Sequence, residues 1–445
     1  MHVNSKQNKK LHHVVIVGGG AGGLELATKL GDSLGRRGKA MITLIDKSKT
    51  HVWKPLLHEI AAGSMNPERH ELVYLAQAHW HHFNFRLGSM DALDRAKQEI
   101  SISPHFDEDG NEVIPRRTFQ YDTLIIAVGS TTNDFGIKGA REHSIALDTQ
   151  DQAEKFHRRL HNALLRAQTQ AEAVQAGQLE VVIVGAGATG VELSAELHNT
   201  TRELTAYGLD KINPDRDVRI SLIEASDRVL PALPPKLSNL VDLELRKLRV
   251  NLYTGERVTE VTSKGVETHS GRFIPSELVV WAAGIKAPDF LRDIDGLETN
   301  RINQLVVKRN LQTTLDDNVF AFGDCAACPW LGHDSTVPPR AQAAHQQASM
   351  LFKTVKYRVA GKKDLPEFTY RDYGSLVNLG TYTTVGNLMG ALSGGSLFIE
   401  GLIARTMYRS LYKMHLMALH GFWSTALQTL ARIITRRTEA HVKLH

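Results

Sequence analysis

The chain has 445 residues, of which 42% are hydrophobic and 23% are charged, and its 53 lysines and arginines against 48 aspartates and glutamates give a net charge of +5. This composition is typical of a folded protein with two or three domains, and it excludes a disordered or collagen-like chain. The net charge is too small to indicate a nucleic-acid partner, and two cysteines are too few to hold together a secreted fold of this size.

In chain order, the first predicted elements are a strand, a glycine loop, a helix and a second strand. They are residues 13–17, the glycines Gly18, Gly20 and Gly23 in the pattern G-x-G-x-x-G, residues 24–30, and residues 40–45 followed by Asp46. The first glycine allows a tight turn, the second lets backbone amides approach a pyrophosphate, and the third lets the helix pack on the strand. An acid at the end of the second strand can bind ribose hydroxyls. The pattern predicts a dinucleotide site.

The middle of the chain links this unit to a second copy of it. Antiparallel strands are predicted within 85–102 and 112–119, a buried strand at 123–128 ends at Gly129, and a helix is predicted within 151–176. The second copy follows as a strand, three glycines, a helix and a strand that ends in an acid. Its members are residues 180–184, Gly185, Gly187 and Gly190, residues 191–200, and residues 219–223 followed by Glu224.

Two dinucleotide units in one chain predict that two nucleotides meet. The simplest interpretation is a resident flavin in the first unit and a nicotinamide nucleotide in the second, with hydride passing between them. The negative charge of Glu224 repels a 2′-phosphate, which favours NADH over NADPH, and Arg228 nearby moderates that preference. The second unit closes with a strand at 278–282 and Gly284.

Two further segments resemble flavin motifs of the two-dinucleotide-domain flavoproteins. Residues 122–129 (DTLIIAVG) are similar to D-x-L-x-x-A-T-G, with Val128 in place of the usual threonine. Residues 319–324 (VFAFGD), preceded by Thr314, are similar to the later flavin motif. There the resemblance gives the aspartate, here Asp324, contacts to the ribityl or pyrophosphate region. The alternative is a turn carboxylate that follows a strand.

The segments 51–57 (HVWKPLL) and 338–346 (PPRAQAAHQ) both resemble the type II NADH dehydrogenases, which are single-subunit NADH:quinone oxidoreductases. The resemblance covers nearly the whole chain. It implies an α/β, glutathione-reductase-like fold with two Rossmann-like dinucleotide-binding domains, bound FAD, NADH as the reductant and a membrane quinone as the oxidant. The implied domains are residues 11–150 and 306–385 for FAD, the latter with a quinone-site helix, 151–305 for NADH and 386–445 for membrane association.

The loops and the resemblance together assign residues to each ligand. Those assigned to FAD are Gly18, Gly20, Gly23, Asp46, Lys54, Gly129, Asp324, Ala341 and Gln342. Those assigned to NADH are Gly185, Gly187, Gly190, Glu192, Glu224 and Gly284. The resemblance gives Glu192 a catalytic place where nicotinamide meets flavin, and it puts Gln342 and Gln346 between the flavin ring and a quinone tunnel. No metal site is predicted.

The helix that carries the two glutamines is predicted to begin near Pro338 and Pro339, which suit a first helical turn. Its N-terminus can then point at the flavin edge that gains negative charge on reduction. Gln342 and Gln346 are four residues apart on one face, from which neutral amides can donate to a quinone carbonyl. The alternatives are a capped surface helix with solvated glutamines and, for Glu192, a carboxylate that only favours a helix N-terminus.

Cys325 and Cys328 form a C-x-x-C pair late in the chain. The disulfide reductases of this superfamily carry a cysteine pair near the flavin, in the region of residues 50–64, where this chain has none. Sulfide:quinone oxidoreductases need further thiols, which are absent. Inert thiols, a modulatory dithiol and half of a zinc site stay open as interpretations.

The tail contains no apolar run of the roughly 18 residues that a spanning helix needs. Apolar residues nevertheless recur there at helical spacing, with a break expected at Gly421. They are Tyr408, Leu411, Tyr412, His415, Leu416, Leu419, Phe422, Trp423, Ala426, Leu427, Leu430, Ile433 and Ile434. The polar side holds Arg405, Arg409, Lys413, Arg432, Arg436 and Arg437, and Glu439 is the only acid after Gly401. The pattern predicts an amphipathic helix on anionic lipid, with a helix docked on the protein's own core or a dimer contact as the alternative.

We therefore expect a peripheral protein on the cytoplasmic face of the inner (cell) membrane that reduces the membrane quinone pool without pumping protons. No nucleic-acid partner is expected, and a homodimer is left open. Two other functions fit the loops. One is a soluble NAD(P)H-dependent reductase of a small redox protein, which has no use for the tail. The other is a flavoprotein redox sensor, which would turn over slowly with every quinone.

Overall fold

The computed structural model describes residues 11–380, 382–389 and 396–435. They pack as two compact units, each with its own five-stranded parallel sheet. Unit 1 contains the described residues up to His51, Glu71–Ser130 and Lys286–Arg371. Unit 2 contains Val52–His70, Thr131–Ile285 and the described residues from Asp372 onward. These bounds separate the residues that pack together, whereas the domains predicted from the sequence are defined by the ligand that each would bind. Those domains stay a prediction.

The sheet of unit 1 is parallel throughout. In sheet order its strands are Val319–Ala321, Thr123–Ile126, His12–Val17, Ala40–Asp46 and Asn84–Leu87. The central strand is fully buried at Val14, Val15 and Ile16, as β-branched runs are when both faces of a sheet are covered. The chain continues on one side of this strand with Ala40–Asp46 and on the other with Thr123–Ile126. The first glycine loop therefore lies at the switch point where such sheets bind ligands.

Two long helices of unit 1, Ala21–Leu30 and Ala341–Val359, pack against each other. The strand Asn84–Leu87 corrects one prediction, because Phe85 pairs in parallel with Leu44 whereas the sequence predicts antiparallel pairing. A short apolar run does not reveal its own pairing partner.

The remaining elements of unit 1 are small. They are the antiparallel strands Met90–Asp94, Glu99–Ile102 and Arg117–Gln120, the strand pairs Thr50–His51 with Leu72–Val73, His105–Phe106 with Glu112–Ile114 and Leu305–Val306 with Ala326–Ala327, the helix Tyr74–Trp80, the π-helical turn Gly31–Gly35, and the 3₁₀ turns Asp289–Leu291, Ile294–Gly296 and Gly323–Cys325.

Unit 2 repeats the parallel arrangement. Its strands run in the order Ile145–Ala146, Leu278–Trp281, Glu180–Val184, Arg219–Glu224 and Asn251–Thr254. The helix Gln150–Thr169 begins after a capping box, in which the Thr149 hydroxyl and the Gln152 side chain each accept from the other residue's N–H. The other elements include the strand Thr131–Thr132, the helices Leu57–Ala62, Ala140–His143, Ala188–Ala206 and Pro235–Lys247, the antiparallel strands Val258–Thr262, Gly265–Thr268 and Phe273–Pro275, and the 3₁₀ turns Lys54–Leu56 and Pro67–Arg69.

The C-terminal part of unit 2 is an antiparallel sheet followed by two helices. The sheet consists of Gly374–Leu379, Thr383–Met389 and Ser396–Glu400, and the helices are Gly401–His420 and Phe422–Thr435. Gly421 separates the helices with a φ of 78°, a conformation that glycine adopts without strain. The predicted break at this residue is confirmed. In the described part of the chain, no helix combines the length and the apolar character that crossing a membrane requires.

Candidate functional site

The first glycine loop needs each of its three glycines for a different reason. Gly18 has a φ of +105°, and a Cβ there would lie 2.3 Å from the carbonyl oxygen of Ala127. A Cβ at Gly23 would lie 1.9 Å from the carbonyl oxygen of Gly18, so the helix approaches the loop too closely for any side chain. At Gly20, the residue that caps the helix, a Cβ would meet no atom within 4 Å. The loop is therefore open beside a helix N-terminus, which is the geometry that a pyrophosphate requires.

Asp46 closes this loop from the end of its strand. The Gly19 N–H donates to Asp46 Oδ2 (2.6 Å), and the Ser48 N–H donates to Oδ1 (2.8 Å). Burial raises the pKa of Asp46, and these two hydrogen bonds oppose that rise. A carboxylate offers about four acceptor positions. Two are used here, so the same side chain can accept from ribose hydroxyls.

Two residues that sequence reasoning missed hold the loop from its other side. The Tyr74 hydroxyl donates to the Gly19 carbonyl oxygen (2.7 Å), and His51 Nδ1 lies 3.0 Å from the same oxygen. Burial lowers the pKa of His51 to about 4, so its imidazole is neutral at pH 7 and carries its proton on Nδ1. His51 begins one of the segments that carry the family resemblance, which was the only signal available. Tyr74 lies 55 residues from its partner and has no local signal.

The second glycine loop reproduces the first. Gly185 has a φ of +104°, a Cβ at Gly190 would lie 2.0 Å from the carbonyl oxygen of Gly185, and a Cβ at Gly187 would meet no atom within 4 Å. The helix that follows has the same open N-terminus. Gly284 has a φ of +64° and lies against Phe135, whose ring would be 2.4 Å from a Cβ at this position.

Glu224 closes the second loop in the way that Asp46 closes the first. The Ala186 N–H donates to Glu224 Oε2 (2.8 Å), and the Ser226 N–H donates to Oε1 (2.9 Å). In both units the acid therefore binds one amide inside the glycine loop and one amide two residues after itself. The repeat seen in the sequence extends to individual hydrogen bonds, and the assignment of a nucleotide to each loop stays a prediction.

Asp324 lies at the centre of a third cluster, in unit 1. The Ser130 hydroxyl donates to Asp324 Oδ2 (2.8 Å), and Gln304 Nε2 donates to the Asp324 carbonyl oxygen (2.9 Å). Gly129, next to Ser130, has a φ of +71°, and a Cβ there would meet no atom within 4 Å. The cluster therefore combines an anchored carboxylate with an open backbone turn.

The helix Ala341–Val359 begins later than the sequence predicts. Arg340 is its N-cap, with an extended backbone (φ −142°, ψ 148°), so Pro338 and Pro339 lie outside the first turn and their predicted place is wrong. A proline restricts the residue before it to extended conformations, which keeps Pro338 out of the helix. Ala341 and Gln342 are the first two helical residues.

Gln346 is anchored to the backbone of a later segment. Its Nε2 donates to the Arg371 carbonyl oxygen (2.8 Å), and its Oε1 accepts from the Arg371 N–H (3.0 Å). This leaves one Nε2 hydrogen for a further acceptor. The next residue, Gln347, is buried and accepts the Gly323 N–H (2.8 Å), which joins this helix to the turn of Asp324. Sequence reasoning missed Gln347 because its partner lies 24 residues away.

Lys54, which was assigned to FAD, belongs to unit 2. Its Nζ lies 3.2 Å from Asp148 Oδ1, and Asp148 Oδ2 accepts from the Thr132 N–H (2.8 Å). The structure thus gives Lys54 an ion-pair partner within unit 2, and its assignment to FAD stays a prediction.

Glu192 is the fifth residue of the helix Ala188–Ala206 and is only 6% exposed. The Asn378 N–H donates to its Oε1 (3.0 Å), and His58 Nδ1 lies 3.7 Å from its Oε2. Burial raises the pKa of Glu192 to about 8 and lowers the pKa of His58 to about 4. Both groups are therefore neutral at pH 7, and their contact is not an ion pair. A helix N-terminus stabilises anions only within its first turn, and the fifth position lies beyond that turn.

The two cysteines are both buried. Burial raises the pKa of Cys325 and of Cys328 to about 12, so both thiols are protonated at neutral pH. Among the described residues, no group of three or more histidine, cysteine or acidic side chains is arranged to hold a metal ion. Of the three interpretations, inert thiols agree best with this environment.

The C-terminal helix pair divides the predicted apolar stripe into two parts. On the first helix His415, Leu416 and Leu419 are buried, and the ring of His415 lies 4.3 Å from that of Trp53. This helix is docked on protein. The second helix exposes five large apolar side chains, which are Phe422, Trp423, Leu427, Leu430 and Ile434. The side chains of Arg405, Arg409, Arg432 and Ile433, and the whole of Arg436, Arg437 and Glu439, lie outside what the structure describes.

Similar proteins are known for both the sequence and the fold. Residues 12–348 match the pyridine nucleotide-disulphide oxidoreductase family. The chain is 41% identical to a type II NADH:quinone oxidoreductase of Haemophilus influenzae, in an alignment that covers 98% of this chain and 100% of that protein. It is 28% identical to a type II NADH:quinone oxidoreductase of Staphylococcus aureus, over 85% of this chain and 90% of that protein.

The fold also resembles a solved structure, NDH2 from Plasmodium falciparum in complex with NADH. The TM-score is 0.82 at 19% identity, and the likeness covers 97% of this chain and 100% of that one. The predicted α/β fold with two Rossmann-like domains is therefore confirmed.

Proposed function

Because this chain belongs to the type II NADH:quinone oxidoreductases, within the pyridine nucleotide-disulphide oxidoreductase family, we propose that it oxidises NADH and reduces a membrane quinone through bound FAD. The observation that carries the proposal is the doubled site. Two glycine loops each follow the central strand of a parallel sheet, and each is closed by a carboxylate that accepts an amide of its own loop. Two such sites in one chain suit a reaction between two dinucleotides.

We assign FAD to unit 1, whose residues fit it. The loop is open at Gly20 and the turn is open at Gly129, as a bound pyrophosphate would require. Asp46 has acceptor positions left for ribose hydroxyls, and Asp324 is fixed by Ser130 close to the open turn. Bound here, FAD would supply the two-electron chemistry, taking hydride from NADH at N5 and passing two electrons to the quinone.

We assign NADH to unit 2, on Gly185, Gly187, Gly190 and Glu224. The nucleotide preference follows from charge, because Glu224 repels a 2′-phosphate. Arg228, the one basic residue expected to moderate this effect, donates to the carbonyl oxygens of Pro231 (2.9 Å) and Leu233 (3.4 Å). With Nη2 of its guanidinium engaged in this way, the preference for NADH over NADPH is expected to be strong.

Glu192 is assigned proton exchange. A carboxyl with a pKa of about 8 is protonated at pH 7 and can both give and regain a proton near neutrality. Reduction of a quinone to a quinol requires two protons, so an acid of this kind has a use in the reaction. His58 beside it is neutral, so it provides no positive charge that would keep Glu192 ionised.

We place the quinone at the start of the helix Ala341–Val359, where Gln342 and Gln346 offer neutral amides. Gln346 still has one amide hydrogen beyond its two bonds to Arg371. An uncharged donor suits an apolar substrate because it adds no ionic desolvation cost to the site.

The second C-terminal helix, Phe422–Thr435, is the proposed membrane contact. Its five exposed apolar side chains would be covered by the acyl boundary of a bilayer, and Trp423, which is 77% exposed, is a residue that favours the lipid–water interface. We propose peripheral attachment at the cytoplasmic face of the inner (cell) membrane, with the membrane quinone pool and anionic lipid as partners. Electron transfer is proposed to proceed without proton pumping.

The purified protein tests this function directly. We expect it to be yellow, to release FAD on denaturation, and to oxidise NADH rapidly only when a short-chain quinone is added. A colourless protein without FAD would contradict the proposal. In sealed vesicles, quinone-dependent NADH oxidation should not change the internal pH, and an uncoupler-sensitive change would contradict the absence of pumping.

The same preparation separates the two rival functions. A soluble reductase of a small redox protein would keep full activity with lipid-dispersed quinone after truncation before Gly401. A redox sensor would turn over slowly with every quinone and accumulate a long-lived complex of reduced protein and NAD. The proposed enzyme does neither.

A further inference from the structure

A second buried carboxyl lies one helical turn beyond Glu192 and has no role in the function described so far. Glu196 is 8% exposed on the helix Ala188–Ala206, and residues four apart share a helix face. The ion pairs of the described residues give neither glutamate a lysine or arginine partner. Burial of two acids without a cation is unfavourable for folding. Such residues are therefore typical of functional sites.

The surroundings of Glu196 come from three elements. A Cβ on Gly380, in the turn after strand Gly374–Leu379, would lie 2.9 Å from Glu196 Oε2, so the backbone of that turn lies against the carboxyl. Burial is the largest influence and raises the pKa of Glu196; the nearby Ser64 side chain lowers this pKa, and the charge of Glu203 on the same helix raises it.

Glu192 lies in similar surroundings. His58 and Glu59, from the helix Leu57–Ala62, and Tyr408, from the first C-terminal helix, face its carboxyl. After burial, which is the largest cause, the negative charges of Glu59 and Glu196 both raise the pKa of Glu192. The protonation states of the two buried glutamates are therefore coupled.

Beyond Gly380 the chain comes into contact with solvent. Tyr382, two residues further, is 40% exposed, and its hydroxyl lies 2.6 Å from His198 Nδ1. His198 lines a cavity of about 230 Å³ that also includes the exposed side chains of Arg219 and Arg249. Two residues beyond the backbone that lies against Glu196, the chain thus reaches a side chain in contact with solvent.

We infer that Glu196 is a second proton carrier, which connects Glu192 to the solvent at the turn of Gly380 and Tyr382. The inference rests on the proposed function. The overall reaction is NADH + H⁺ + quinone → NAD⁺ + quinol, in which hydride brings both electrons and one hydrogen nucleus and the second proton comes from water. Glu192 releases its carboxyl proton to the reaction, and Glu196 takes up a proton from water at the turn and passes that proton to Glu192. The cycle adds no net charge to the helix.

The kinetic test uses the full-length, FAD-loaded protein and follows its two half-reactions by stopped flow. Glu196→Gln should slow reoxidation by a short-chain quinone by about tenfold or more above about pH 8, where reprotonation becomes limiting. Reduction by NADH should change by less than about twofold. Glu196→Asp should recover most of the lost rate because it restores a carboxyl. Glu244→Gln, a control at the partly exposed glutamate that accepts from Lys247 (2.7 Å), should behave as the wild type.

Two results of the kinetic test would overturn the inference. One is that Glu196→Gln is reoxidised at the wild-type rate at every pH. The other is that Glu196→Asp is folded but recovers none of the lost rate. If the wild-type protein does not oxidise NADH with quinone at all, the proposed function fails instead.

An infrared titration tests the coupling of the two acids without any turnover. The absorption of protonated carboxyls should contain a component that disappears near pH 8 in the wild type and is absent in Glu192→Gln. In Glu196→Gln its midpoint should fall by about half a pH unit or more, because a neighbouring negative charge has been removed. An unshifted midpoint would contradict the inference whatever the enzyme does with quinone.

Discussion

Asp46 and Glu224 show how much one side chain contributes to each nucleotide loop. Each acid accepts an amide of its glycine loop and a second amide two residues after itself, so each fixes the local backbone before any ligand is bound. Each also places an acidic side chain next to the predicted ribose position. Removing the charge and removing the hydrogen bonds are therefore two different experiments.

Glu224→Gln removes the charge and keeps one of the two backbone hydrogen bonds, because the amide oxygen can still accept one of the two N–H groups. The ratio of kcat/KM for NADH to that for NADPH should fall by about tenfold, since an uncharged side chain no longer repels the 2′-phosphate. Asp242→Asn, at an aspartate that pairs with Arg246 on the helix Pro235–Lys247, is the matched control. An unchanged ratio in Glu224→Gln would contradict the ribose assignment.

Gln346→Leu tests the predicted quinone side of unit 1. Reoxidation of the reduced protein by quinone should slow by about tenfold, whereas reduction by NADH should stay within about twofold of the wild type. The variant also loses both hydrogen bonds to Arg371, so its unfolding free energy should fall by about 1–2 kcal/mol. Stopped-flow absorbance and urea denaturation measure the two effects separately. Equal slowing of both half-reactions would indicate a purely structural role.

Among the helices, the C-terminal pair shows why an apolar stripe has two meanings. The same helical period serves a helix that docks on its own protein and a helix that lies on lipid. In the first helix Leu416 and Leu419 of the stripe are buried against protein and Leu411 is 45% exposed, whereas the stripe of the second helix is exposed. Gly421 separates the two parts of the stripe, because the first helix ends there before the second begins.

Trp423→Ser combined with Leu427→Ser tests the second helix. Binding to vesicles that contain anionic lipid should weaken by at least about tenfold, because two large apolar side chains no longer enter the bilayer. Leu243→Ser changes another exposed leucine (56% exposed), on the helix Pro235–Lys247, and should leave binding unchanged. Co-sedimentation measures both. If both variants lose binding equally, the attachment is not a property of this helix.

For the whole molecule, the buried acids make stability depend on pH. The usual pKa of a glutamate is 4.5, and burial raises that of Glu192 to about 8. Between these values the native state holds a proton that the unfolded state has lost, so stability decreases as pH rises through this window. The slope from this one residue is at most about 1.4 kcal/mol per pH unit.

Glu192→Gln should therefore flatten the dependence of the unfolding free energy on pH between about pH 5 and about pH 8, because the neutral amide does not titrate. Urea denaturation across this range measures it, with Glu244→Gln as a control that keeps the wild-type slope. A Glu192→Gln variant with an undiminished slope would mean that Glu192 is ionised in the native protein.

How much the sequence could predict depends on how far apart along the chain the interacting residues are. Strand, glycine loop, helix and acid lie within a few tens of residues, so both copies were predicted with Asp46 and Glu224 at the correct strand ends. The surroundings of Glu192 were not predicted, because Asn378 lies 186 residues away and only the folded chain brings it near. The place of Pro338 and Pro339 was wrong because proline suits a helix start and the segment before it equally well.

The exposed face of the helix Phe422–Thr435 has a practical consequence for anyone who prepares this protein. In plain aqueous buffer its five exposed apolar side chains are in contact with water, so molecules are expected to adhere to one another through this face. A mild detergent would cover it, and light scattering should then report smaller particles.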